Sequence, residues 1–113
     1  MPAPSYIPER GDLVWLAFSP QAGHEQAGRR PALVLSPRAY NSVTGLVVVC
    51  PVTSSQKGYP FEVVLPEELS VKGVVLADHV KSLDWQARHA TFIETVPNAV
   101  LAQVAEYLAR LLP

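Results

Sequence analysis

Cysteine is nearly absent. The single Cys50 has no partner for an internal disulfide, and it sits in the apolar run LVVVCPV, where a buried strand thiol is the expected state. A reducing cytosol suits such a chain. Histidine is sparse as well: His24, His79 and His89 are scattered and, with one cysteine, match no ligand spacing of a structural zinc site. No apolar run approaches the ~20 residues of a membrane span, and the start MPAPSYIPERGD lacks both the basic and the apolar part of a signal peptide. A soluble cytoplasmic protein is expected, with no membrane partner. There is no Gly-rich phosphate loop, no nucleophile elbow and no His pair at metal spacing. What is left for an enzyme is chemistry without metal or cofactor, built on Arg, Glu, Thr and His.

Charge of one sign is missing too. Nine Lys and Arg against ten Asp and Glu leave a net charge of −1, so a site for a polyanion has to be a local cluster. Apolar residues, by contrast, make up 49% of the 113 residues and charged ones only 17%, which is too apolar for a disordered chain. The length fits one domain over residues 1–113. No repeat, linker or low-complexity tract divides it.

Eleven prolines and six glycines cut the first two-thirds into short apolar runs, the pattern of strands joined by turns. Strands are expected over Leu13–Phe18, Ala32–Ser36, Leu46–Val52, Phe61–Leu65 and Val74–Ala77, with a sixth around Ala90–Thr95. Valines at 47, 48, 49, 63, 64, 74 and 75 suit a packed pleated surface. So many short strands predict a small, partly open β-barrel, with Gly45 and Gly73 at positions that need freedom from Cβ clashes. From Pro97 the period changes: Val100, Leu101, Val104, Leu108, Leu111 and Leu112 recur at three and four residues, predicting an amphipathic C-terminal helix of about four turns. Its apolar stripe is expected to pack on the barrel or on a second subunit.

Three polar clusters fall in the turns. In GHEQAGRRPALVLSP, Glu25, Arg29 and Arg30 precede a strand; strand alternation sends one arginine inward and its neighbour to solvent. A guanidinium fork holds phosphate well, but the loop is equally a solvated hairpin tip with a Glu–Arg pair. Thr53, Ser54, Ser55, Gln56 and Lys57 follow the valine run, as phosphate ligands or as a plain Ser-rich turn. Asp78, His79 and Lys81, then Trp85 and Arg88, mix basic and aromatic groups suited to single-stranded bases, although Trp85 is equally a core residue.

Taken in order, these segments resemble the MazF (PemK-like) toxins of bacterial toxin–antitoxin pairs. ERGDLVWLAFSP, GHEQAGRRPALVLSP, YNSVTG, PVTSSQKGYPFEVVL and GVVLADHVKSLDW carry the resemblance over almost the whole chain. It implies a small SH3-like barrel with a C-terminal helix and a dimeric, metal-independent, sequence-specific endoribonuclease. The implied substrate is single-stranded RNA, chiefly mRNA, and the implied inhibitor is a cognate antitoxin. By position, Arg30 and Thr53 match the family's catalytic arginine and threonine, and Glu25 its acidic loop residue. Arg29, Lys57, Asp78, His79, Lys81 and Arg88 fall in the loops or strand edges that line the family's RNA groove. Arg29 and His79 depart from the family's usual residues, so the recognised bases need not be those of its best-known members. Two other readings stand beside this one: a non-catalytic CcdB-like gyrase poison, whose aromatic C-terminal tail is absent from AEYLARLLP, and a barrel that only binds RNA or protein.

Overall fold

The chain, described from a computed structural model, is visible over residues 6–18 and 28–112. Among the described residues are seven antiparallel strands: β1 (Asp12–Ala17), β2 (Arg29–Val34), β3 (Leu46–Thr53), β4 (Glu62–Val64), β5 (Val74–Leu76), β6 (Lys81–Asp84) and β7 (Thr91–Thr95). Helix α1 (Arg38–Thr44) joins β2 to β3, and α2 (Asn98–Leu111) ends the fold. The sheet runs β4-β5-β3-β2-β1-β7 without closing on itself, and β6 branches from β3. This is the partly open, mainly β architecture with a C-terminal helix that the residue pattern predicts.

Strand β3 is the hub. One edge pairs with β2 over Val49–Pro51, while the other is divided: Leu46–Val49 pairs with β6 and Val52–Thr53 pairs with β5. The change of partner falls at Cys50 and Pro51, and proline has no N–H to offer a ladder. Between β5 and β6 the chain therefore leaves the sheet in a single 3₁₀ turn, Ala77–His79, and returns. That detour places Asp78 and His79 beside the end of β3.

Two apolar cores lie on opposite faces of the curved sheet. Leu13, Leu33, Val52, Val75, Val100 and Val104 anchor one, and Val14, Leu16, Val34, Val47, Val49 and Trp85 anchor the other. Alternation along β1 and β2 divides their residues between the two. Helix α2 seats Val100 and Val104 in the first core, and Tyr107 meets Phe61 edge-on with ring centres 5.4 Å apart. The stripe stops short of its predicted length: Leu111 and Leu112, at 42% and 73% exposure, lie beyond the edge of the core.

Helix α1 and strand β6 are absent from the expected elements, and β2 starts at Arg29, three residues before the predicted boundary. Five of the seven residues of RAYNSVT, Tyr40 to Thr44, are weak helix formers, and the helix exists because Asn41, fully buried, is wired into the fold. Its amide nitrogen donates to the Pro8 and Ser36 carbonyls at 2.8 and 3.0 Å. Its side-chain oxygen accepts the Ser36 hydroxyl at 2.6 Å, and Ser36 Oγ in turn accepts the Val48 N–H. The Asn41 carbonyl accepts the Trp85 indole N–H at 2.8 Å, so Trp85 is a core residue, 6% exposed. Asn41→Ala strands several buried polar atoms at once and is expected to lower unfolding free energy by about 2–4 kcal/mol, read from urea denaturation followed by circular dichroism. A loss below about 1 kcal/mol would show that water substitutes for the amide.

Candidate functional site

Arg29 and Arg30 open β2, opposite Ala17 and Leu16 of β1. Neighbours on a strand point to opposite faces, so the two guanidinium groups part. Arg29 Nη2 donates to the His89 carbonyl at 2.9 Å and to Thr91 Oγ1 at 2.7 Å, bracing the turn before β7. His89 holds a positive φ of 56°, and this brace fastens its carbonyl. Arg30 instead lines a cleft of about 490 Å³.

The end of β3 supplies the wall beside it, through Pro51, Val52 and Thr53. Thr53 Oγ1 accepts the Ser55 N–H at 3.1 Å. That bond fixes the acceptor side of the hydroxyl and leaves its own O–H to donate, the arrangement wanted for meeting an oxyanion. Beneath lies Cys50, with Sγ 3.7 Å from the Ala77 carbonyl; burial pushes its thiol up to about 12, so it is an inert core group.

The 3₁₀ turn contributes Asp78 and His79, a loose pair 3.8 Å apart whose side chains are about half exposed. Lys81, at the start of β6, holds its ammonium 5.6 Å from the ring centre of Phe18, and both line the cleft. Phe18 is held by Arg88, whose Nη1 donates to the Ala17 and Phe18 carbonyls, each at 2.8 Å. The segment between β3 and β4 adds Ser55, Lys57 and Tyr59, and Glu62 closes the rim. A second depression, about 450 Å³, lies on the far side of Arg30 and Thr53, with Trp15, Ser70, Lys72 and Ile93 around it. Arg30 and Thr53 line both hollows and form the divide between them.

Of the residues singled out from sequence, Arg30, Thr53, Lys57, Asp78, His79 and Lys81 are brought together in one cleft. Arg29 and Arg88 do not line it; each spends its guanidinium on main-chain carbonyls of a turn or strand end. Glu25 lies outside the described residues. Sequence reasoning passed over Phe18, Tyr59 and Glu62. The KGYPFE run holds the signal for two of them, an exposed aromatic beside a lysine and a carboxylate one turn on. Phe18 carries no such local signal, because it reads as the end of a strand.

The cleft thus combines three cationic side chains, two carboxylates, an imidazole and the hydroxyls of Thr53, Ser55 and Tyr59 in a surface open to solvent. Such a set grips a phosphate chain and stabilises charge gained at phosphorus. Among the described residues no group of three or more His, Cys, Asp and Glu side chains is placed to hold a metal ion. No described helix is long and apolar enough to cross a membrane.

Comparison with known proteins meets this geometry. A sequence model of the family described as "PemK-like, MazF-like toxin of type II toxin-antitoxin system" matches residues 9–112. The endoribonuclease toxin MazF of Escherichia coli strain K12 is 55% identical over 91 residues, covering 80% of this chain and 81% of that protein. The endoribonuclease toxin ChpB of the same strain is 44% identical over 108 residues, 91% of this chain and 90% of that protein. The MazE–MazF complex of Deinococcus radiodurans in crystal form II superposes with a TM-score of 0.91 at 64% identity, covering 96% of this chain and 97% of that one. Sequence and fold agree, and the chain belongs to the PemK-like, MazF-like toxins of type II toxin–antitoxin systems.

Proposed function

We propose that this toxin is a metal-independent endoribonuclease in which Arg30 and Thr53 are the catalytic pair. The observation that supports it most directly is their position on one divide, a guanidinium and a hydrogen-bonded hydroxyl with Lys57 and Lys81 in the adjoining cleft. The named endoribonuclease relatives in Escherichia coli support the same activity. Single-stranded RNA, chiefly mRNA, crosses the divide so that one phosphate rests on it. The ribose 2′-oxygen attacks that phosphorus and gives up its proton, the bond to the 5′-oxygen breaks, and that oxygen is protonated as it leaves. A 2′,3′-cyclic phosphate and a 5′-hydroxyl result.

Arg30 and the Thr53 O–H stabilise the charge gathering on the phosphoryl oxygens, where preorganised donors act most strongly. Proton removal falls to a carboxylate, for which Glu25 is the proposed group. Lys57 and Lys81 hold flanking phosphates. The working form is a homodimer in the cytoplasm, each copy contributing its own 113 residues as one toxin domain, since two basic clefts side by side lengthen a track that a net charge of −1 leaves short. The cognate antitoxin is its partner, a relation that the MazE–MazF complex of Deinococcus radiodurans supports.

The deciding experiment is incubation with a long single-stranded RNA in excess EDTA, followed by direct 5′ labelling of the fragments. Cuts at a defined sequence with 5′-hydroxyl ends are expected. Strict dependence on magnesium, or 5′-phosphate ends, would overturn the mechanism.

A further inference from the structure

We propose that Glu62 is the positioning residue of the Lys57 loop, and that its negative charge strengthens RNA binding in a cleft made for an anion. The inference rests on the RNA-cleaving assignment above. Residues 54–60 between β3 and β4 are all exposed, so no apolar side chain of this segment anchors it in a core. Hydrogen bonds must shape it. The Glu62 carboxylate takes both successive amides at the loop's turn, Lys57 N–H at 3.1 Å on Oε2 and Gly58 N–H at 3.0 Å on Oε1. Gly58, with φ of +77°, takes the left-handed backbone that turns the chain back toward β4 directly after these two amides. The Tyr59 carbonyl accepts the Glu62 N–H at 3.2 Å and closes the ring from the other side.

Glu62 itself is half-buried at the start of β4, a strand locked to β5, so the carboxylate is a fixed post and the loop is the movable part. At the rim of the cleft each of its oxygens is taken up by an N–H dipole, which offsets its charge there. With the post in place, Lys57 and Tyr59 emerge on the cleft side, where both line the wall. Without it, Lys57 is a cation on a loose segment and pays ordering entropy each time RNA binds.

The sign of the effect separates this role from plain electrostatics. Removing a carboxylate from an anion cleft should tighten binding if Glu62 acts only as a repelling charge. The positioning role demands the reverse. Binding of a labelled, uncleavable single-stranded RNA is measured by fluorescence anisotropy across a salt series for the parent, Glu62→Ala, Glu62→Gln, Lys57→Ala and the Glu62→Ala/Lys57→Ala double variant. Glu62→Ala is expected to raise Kd on the order of tenfold and to lower the salt slope by roughly 0.7, the loss of one phosphate contact on a single strand. Glu62→Gln, which keeps one acceptor oxygen, should fall between, and the double variant should bind no worse than Lys57→Ala alone. Tighter or unchanged binding in Glu62→Ala, or losses that add in the double variant, would overturn the positioning role. Lys57→Ala binding as well as the parent would instead overturn the assignment of the cleft to RNA, a result distinguishable from failure at Glu62.

Discussion

Replacing Arg30 with alanine is expected to lower single-turnover cleavage by ~10²–10³, the usual cost of removing one donor from a developing oxyanion. The side chain is exposed at the first turn of β2's ladder, so its truncation opens no hole in either core. Folding should survive, with an unfolding midpoint near that of the parent. Arg30→Lys keeps the charge but not the planar fork, and should recover only part of the rate. Thr53→Val is the companion test: shape and β-branching stay, the donor hydroxyl goes, and cleavage should fall while affinity for uncleavable RNA holds. The Ser55 N–H that loses its acceptor is exposed and turns to water. Full activity in Arg30→Ala, or equal losses of binding and rate in Thr53→Val, would move the chemistry off the divide.

The second large effect is expected at a residue with no side chain, Gly73. A Cβ added there would stand 2.1 Å from the Thr53 carbonyl oxygen, 2.8 Å from its carbon and 2.9 Å from Ser54 Cα, and the residue's φ is +121°. Main-chain atoms have no rotamer by which to step aside. The backbone of Thr53 must therefore move, and Thr53 pairs with Val74, the very next residue. Overpacking and backbone strain together predict a stability loss of about 2–4 kcal/mol for Gly73→Ala. The folded fraction should also cleave RNA roughly 10²-fold more slowly, since a displacement of about 1 Å costs that much at a reacting group. Gly45→Ala is the matched control. Its φ is also positive, at +75°, but nothing lies within 4 Å of the new Cβ, so stability alone should change. If Gly73→Ala keeps the parent's rate, the catalytic hydroxyl is not held by the β3–β5 contact.

How far the site was legible follows from what kind of force places each residue. Arg30 and Thr53 sit at the ends of strands whose valine and leucine runs announce themselves, so their neighbourhood could be anticipated. Periodicity assigns Lys57, Asp78, His79 and Lys81 to loops, and only the family resemblance puts them along one groove; their meeting depends on the change of pairing at Cys50 and Pro51, which leaves no mark in periodicity. Strand β6 was hidden because its sequence, KSLD, holds one apolar residue and rides on the edge of β3. Helix α1 was hidden because a buried amide, not a stripe, holds it. Arg29 and Arg88 show the opposite failure. Charge and position made them ligands on paper, whereas their donors serve carbonyls that β-strand ends leave unpaired.

The excursion of residues 77–79 out of the sheet has a consequence for how such a toxin diversifies. Because the ladder resumes at Lys81 and Val49 as though nothing had intervened, side chains on the excursion carry no responsibility for register. Its main chain is tied down separately, by the Ala77 N–H to the Phe61 carbonyl at 3.1 Å and by the Cys50 thiol. Asp78 and His79 are therefore replaceable parts on a fixed mount, while Arg30 and Thr53 belong to the mount itself. If Arg30 and Thr53 are the catalytic pair proposed above, the blade is part of the sheet's frame, and a lineage is able to change what borders it on the excursion without rebuilding it.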